Sequence, residues 1–233
     1  MADIQAINNK IHSNIKIKHN PALAQSANRH FVPLVVQEFA AASQDFPIVF
    51  IKDSETGQFR AIALLGLKPE ENLFVSEDSW LATYKPQSLS LYPFLFSQQE
   101  GSDQGVLCFD VESDLVNEEE GDALFDSDGK QSTWLNNKAE SVVKFIENNY
   151  ATQGFIKMLI ERDLLTAQTL NLKLENEQEY ALNGLYTINE KALNELSDEQ
   201  FSILRTSGAL KAIYASLLSM QCIHNLASKK LAK

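Results

Sequence analysis

The chain has 233 residues, 44% of them hydrophobic, with 20 basic and 31 acidic residues and a formal net charge of −11. This apolar content is normal for a globular protein and too high for a disordered one. The negative charge argues against nucleic-acid binding, because phosphate rewards cationic surfaces, and no segment approaches the ~18 apolar residues of a membrane span.

The N-terminal residues and the cysteines indicate the compartment. Residues 1–18 lack the continuous apolar core of a signal peptide, which predicts a cytoplasmic protein. The two cysteines, Cys108 and Cys222, are far apart and each lies in apolar sequence. We therefore expect both to be buried free thiols in a reducing environment.

Short strands and turns dominate the predicted elements of the N-terminal part. Polar and apolar residues alternate at 15–18, which is typical of a half-buried strand. A short helix at 34–44 is predicted between Pro33 and Pro47. The next pattern, a strand at 47–53, a turn and a second strand at 59–67, predicts a hairpin.

A second hairpin is predicted from residues 89–98 and 105–111, and Pro93 places its first strand at a sheet edge or at a bulge. The stretch from Glu100 to Asp128 holds eleven acidic residues and no Lys or Arg, which favours a solvated, mobile loop. Its "DSDG" sequence does not complete an EF-hand, because the first and twelfth ligand positions would both be leucine.

The C-terminal part predicts helices around one more pair of strands. Residues 134–160 have helical periodicity, and 169–174 with 180–189 alternate as strands. A capping box of Ser197 and Gln200 begins the next helix. Gly208 ends it, and a final helix follows, with an apolar face assigned to these residues: Leu210, Ile213, Tyr214, Leu217, Leu218 and His224.

The order of these elements predicts an α+β fold, mainly an antiparallel sheet packed by helices, with a helical C-terminal part. Parallel βαβ units would alternate more regularly. We interpret residues 1–233 as a single domain, with a sheet-rich lobe at 1–130 and a helix-rich lobe at 131–233.

No catalytic motif stands out. The chain has no nucleophile elbow, phosphate-binding loop or dinucleotide fingerprint, and no histidine pair at metal-ligand spacing. His12, His30 and Glu38 are weak candidates for a metal site, since two histidines and a carboxylate can hold iron, but their spacing does not predict that they meet. We therefore predict no cofactor, and the sequence leans against an enzyme.

Aromatic residues in turn-rich sequence are the better binding candidates. Loop aromatics serve either as core plugs or as anchors of an interface. The aromatic residues in question are Trp80, Tyr84, Tyr92 and Phe94. Both roles stay open for them, and together they could form a groove for a peptide or a protein.

Several short landmarks occur in a fixed order along most of the chain. They include His12 with the nearby "IKI" at 15–17, "FPIVF" at 46–50, "ALLGL" at 63–67, "YPF" at 92–94, "LFDSDG" at 124–129 and "GALKAIY" at 208–214. In this order they resemble the SapC family of bacterial proteins. The resemblance implies a link to a paracrystalline surface layer. It also implies gene neighbours such as cupin-like iron oxygenases, flavin-dependent halogenase-like proteins and outer-membrane receptors. It implies no catalytic residue.

Three functional hypotheses follow. The first is a non-enzymatic accessory or binding protein with a protein or peptide partner, acting with a peptide- or protein-modifying oxygenase or in an uptake or surface system. The second is a metal-assisted enzyme that uses His12, His30 and Glu38. The third is a self-assembling surface-layer component, which would form homo-oligomers.

Overall fold

The structure, a computed structural model, describes residues 3–19, 23, 26–76, 79–98, 105–175 and 177–232. The chain forms two compact units, and each combines an early and a late segment. Unit 1 comprises residues 1–26 and 87–147, and unit 2 comprises residues 27–86 and 148–233. These units differ from the lobes 1–130 and 131–233, and the single-domain assignment stays a prediction.

Strands are concentrated in the first half of the chain and helices in the second, so the α+β class is confirmed. The strands are β1 (Ile4–Ala6), β2 (Lys16–Ile17), β3 (Phe31–Pro33), β4 (Ile48–Lys52), β5 (Phe59–Leu64), β6 (Val75–Ser76), β7 (Ser79–Trp80), β8 (Phe94–Gln98), β9 (Gly105–Asp110), β10 (Val116–Asn117), β11 (Asp122–Ala123), β12 (Leu165–Lys173) and β13 (Glu179–Ile188). The α-helices are α1 (Phe39–Ala42), α2 (Gln87–Ser90), α3 (Thr133–Ile160), α4 (Glu190–Asn194), α5 (Asp198–Thr206), α6 (Ala209–Ser219) and α7 (Ile223–Leu231). None of the helices described is long and apolar enough to cross a membrane.

Unit 1 contains two small antiparallel sheets. β9 lies between β1 and β8, so β8 is an edge strand, one of the two placements that Pro93 predicted. β2 lies between β10 and β11. This second sheet pairs two short pieces of the acidic stretch with β2, where the sequence predicted a mobile loop. Glu100 and Asp103 of that stretch lie outside the described residues. The glutamates at 118–120 are nevertheless exposed.

Unit 2 is built on a five-stranded antiparallel sheet in the order β12-β13-β4-β5-β3. Side chains alternate between its two faces. On one face Phe50 contacts Phe39 of α1, and Phe39 meets Phe155 of α3. The other face carries Ile62 and Leu64 of β5, both almost fully buried.

Helix α6 contacts the main chain of β4 through two buried serines. Ser216 Oγ donates a hydrogen bond to the carbonyl of Ile48 at 3.1 Å, and Ser219 Oγ accepts one from the N–H of Ile48 at 2.8 Å. Both serines are at most 1% exposed. Because their side chains are short, the helix lies close enough to bind the strand's main chain directly.

The buried side of α6 is not the one predicted from its large apolar residues. Ile213 is buried, but Tyr214 is 45% and Leu218 is 64% exposed, and His224 in α7 is also exposed. Small residues fill the contact instead: Ala209, Ala212, Ala215, Ser216 and Ser219. The assigned face was wrong because close approach to a strand selects for small side chains rather than for hydrophobicity.

We expect Ser219→Ala to lower the free energy of unfolding by about 1–3 kcal/mol, because the buried N–H of Ile48 loses its acceptor. Urea denaturation followed by circular dichroism measures the change. Ser228→Ala, at an exposed position of α7, is the matched control and should change stability by less than about 0.5 kcal/mol. Equal stabilities of the two variants would contradict the role assigned to Ser219.

Candidate functional site

The long hairpin of unit 2 bends where the pairing of its strands shifts. Gln168 pairs with Leu185, but Leu170 pairs with Leu182, so β13 has one extra residue between these pairs. Gly184 lies in that interval with φ of +74°, in the left-handed region that side chains disfavour. A bulge of this kind bends a strand and increases its twist. We call the part beyond it, residues 169–183, the hairpin arm.

A groove of about 450 Å³ lies beside the hairpin arm, entirely within unit 2. Its floor is formed by Phe31, Ile51, Ile62 and Leu64 of the sheet; Ile62 and Leu64 are each only 1% exposed, so half-buried Phe31 and Ile51 supply its accessible apolar surface. Leu182 of the arm forms part of one wall. The segment 67–69 and His30 form the opposite wall. Grooves of this size, with an apolar lining and a few polar groups, are the usual form of a ligand site.

Polar side chains are placed at the margin of this groove. The ring of His30 packs edge-on against Phe31, with 4.6 Å between ring centroids. Burial lowers the pKa of His30, so its imidazole is neutral at neutral pH and offers one donor and one acceptor. Lys68 and Glu179 also line the groove and are exposed. The arrangement can hold an apolar group and orient polar groups around it.

Three residues singled out from the sequence meet elsewhere in unit 2. The carboxylate of Glu38, which is 2% exposed, accepts hydrogen bonds from the Tyr84 hydroxyl at 2.8 Å and from the Val35 N–H at 3.1 Å. Trp80 Nε1 donates to the carbonyl of Tyr84 at 2.8 Å. The main-chain N–H of Tyr84 donates to Asp45 Oδ2 at 2.7 Å. These bonds fasten segment 80–84 to the body of the unit.

The network keeps the Tyr84 phenol protonated. Burial, together with the neighbouring Glu38 carboxylate, raises the pKa of Tyr84. The indole of Trp80 contacts Phe46 and Phe74, with centroids 6.1 and 6.3 Å away. Both aromatics thus have structural contacts while remaining partly exposed, and their binding role stays a prediction.

The other two aromatic candidates lie in unit 1. Phe94 is 6% exposed and packs against Phe109 and Trp134, so the structure places it in the core. Tyr92 is half-buried beside that core, and its hydroxyl donates to Asp110 Oδ2 at 3.4 Å. The four predicted aromatics are therefore divided between the units, two in each.

The candidate metal ligands are engaged separately. His12 lies in unit 1, where Nδ1 accepts from the Asn8 N–H at 3.1 Å and Nε2 faces Gln5 Oε1 at 3.4 Å. His30 lines the groove, and Glu38 belongs to the tyrosine network. In the parts of the chain that the structure describes, no three His, Cys, Asp or Glu side chains are arranged to hold a metal ion.

The groove was not predicted from the sequence, because the strand pair 169–174 and 180–189 was assigned no role beyond pairing. One signal was available, since an isolated glycine inside a strand pattern, as in "YALNGLY", indicates a bulge. The position of the arm over the sheet depends on contacts with β4 and β5, which are more than 100 residues earlier.

Residues 7–226 match the family model described as SapC, which covers nearly the whole chain. The family resemblance read from the landmarks is thereby confirmed. Neither a curated protein nor a solved structure matches the chain.

We expect Tyr84→Phe to lower the free energy of unfolding by about 1–3 kcal/mol, because the buried Glu38 carboxylate loses a hydrogen-bond donor. Tyr150→Phe is the control, since Tyr150 is 73% exposed and should tolerate the change within about 0.5 kcal/mol. Urea denaturation compares them, and equal stability of the two variants would show that the Tyr84–Glu38 bond does not support the fold.

Stability should also decline on mild acidification. Burial lowers the pKa of His12 and of His30 in the folded state. A histidine that is buried in its neutral form stabilises the fold fully at pH values above its unfolded-state pKa of about 6.5. This stabilisation is lost as the pH falls toward its lower folded-state pKa. The free energy of unfolding should therefore decrease as the pH is lowered from about 6.5, and this decrease should be smaller in His12→Asn and in His30→Asn. Denaturant titrations across this range test it, and unchanged slopes in both variants would refute it.

Proposed function

The chain belongs to the SapC family, and we propose that it is a non-enzymatic accessory protein that binds a segment of a protein or peptide partner in the groove of unit 2. The groove itself carries this proposal. It combines the accessible apolar surface of Phe31 and Ile51 on its floor with a wall made by the hairpin arm. Covering such a surface with apolar side chains of a partner is favourable because it removes both from water.

The polar groups at the groove support a polypeptide as the bound molecule. His30, Lys68 and Glu179 offer a neutral imidazole, a cation and an anion around an apolar floor. Peptide segments present the same mixture of apolar side chains, charges and main-chain polar groups. A few placed polar groups around an apolar lining fix the orientation of what is bound.

The family resemblance suggests where such a partner belongs. We propose a partner from a peptide- or protein-modifying oxygenase or from an uptake or surface system, as the gene neighbours of the family imply. The cytoplasmic location stays a prediction. The metal-assisted alternative would need His12, His30 and Glu38 to converge, whereas each has its own contacts, so we favour binding.

A variant that shortens one side chain of the groove wall tests the proposal. A random peptide display library is panned on the immobilised full chain, and a selected peptide is titrated by fluorescence anisotropy. Leu182→Ala should weaken its Kd about tenfold, because an apolar contact is lost from the wall. The control is Leu170→Ala, the cross-strand partner, which does not line the groove. Equal affinities of the two variants, or no selectable peptide at all, would reject the groove as the binding site.

A further inference from the structure

The hydrogen-bonding pattern of the hairpin arm shows which main-chain groups of β13 face away from β12. Leu174 N donates to the carbonyl of Gln178 at 2.9 Å, so these two form a hydrogen-bonded pair. Such pairs alternate along an antiparallel ladder, which makes Leu172 with Tyr180 the next one. The N–H and C=O groups of Glu179 and Ala181 therefore point to the opposite side.

That opposite side of the arm has no neighbouring strand. β4 pairs with β13 only at Leu185 and Tyr186, beyond the bulge. Within the described chain, no strand pairs with this side of residues 179–183. The same five residues line the groove, so the free edge of β13 opens into it. A strand edge with unpaired donors and acceptors is a template for another strand.

We propose that the partner segment binds as an added β-strand along this edge, pairing with the main chain of Glu179 and Ala181. The inference rests on the proposed function and states how the groove is used. Strand addition obtains affinity from main-chain hydrogen bonds and specificity from alternate side chains. The edge from Glu179 to Asn183 spans ~13 Å, enough for about five residues of an extended segment.

The groove floor specifies the side chains of that segment. Successive side chains of a strand point to opposite faces, so every second one would meet the floor at its accessible residues, Phe31 and Ile51. The bound segment consequently carries apolar residues at alternate positions. The residues between them face away from the floor and are free to be polar.

Charge at the hairpin tip adds a further requirement. Glu175, Glu177 and Glu179 are exposed there, against the single cation of Lys173. None of these glutamates forms an ion pair within the described residues. Complementarity therefore selects a segment with a basic residue at the end that lies beside the tip.

Two proline variants separate strand addition from other modes of binding. Ala181→Pro removes an N–H that points into the groove without removing a bond to β12. Ala167→Pro is the matched control. Asn189 N donates to the carbonyl of Leu164, so by the same alternation the N–H of Ala167 points away from β13, on the outer edge of the sheet.

The probe is the peptide selected by panning a random display library on the full chain. Ala181→Pro should weaken its Kd at least about tenfold, while Ala167→Pro leaves it within about twofold. Because Ala181→Pro could disturb the arm, a second measurement keeps the wild-type protein and N-methylates alternate residues of the peptide. One of the two methylation registers should abolish binding, since it removes the N–H groups that face β13.

The outcomes distinguish this inference from the proposed function. If Leu182→Ala weakens binding but both proline variants and both methylated peptides bind like their parents, the groove binds the peptide and strand addition is wrong. If Leu182→Ala also has no effect, the groove itself is wrong. If sedimentation shows a wild-type dimer that Ala181→Pro dissociates, the edge pairs with a second copy, which overturns the assignment to a partner segment.

Discussion

The change of register at Gly184 determines where the hairpin arm lies, and the groove depends on that position. The residues before and after the bulge belong to the same strand, yet β4 pairs only with the part that follows it. A side chain at this position would meet no atom within 4 Å, so glycine is favoured by its φ of +74° and not by lack of space.

The buried serines of α6 and the buried Glu38 carboxylate connect elements of unit 2, and each has a specific hydrogen-bond partner. The serines of α6 bind both main-chain groups of Ile48, and Glu38 accepts from Tyr84 and from the main chain. Buried polar groups without partners would cost several kilocalories, so these bonds also restrict how the elements can pack. In unit 2 they connect the helix, the sheet and segment 80–84.

Elements that depend on neighbours in sequence were predictable. Strand-forming residues around a turn predicted the hairpin of β4 and β5, Pro93 predicted an edge strand or a bulge, and Ser197 with Gln200 predicted the start of α5. Two errors had a common cause. The buried side of α6 was assigned by hydrophobicity, and the acidic pieces at 116–117 and 122–123 were assigned to a loop by their charge, although packing on β4 and pairing with β2 decided the outcomes. Both partners are distant in sequence.

The sequence by itself determined the family, the α+β class and the positions of most strands and helices, because periodicity, caps and turn residues act over a few neighbouring residues. Only the tertiary structure decided that Tyr84 meets Glu38, that His30 lines a groove and that residues 179–183 present a free strand edge. These features arise from contacts between segments up to 150 residues apart. Local propensities contain no information about such contacts, since they depend on how whole elements pack.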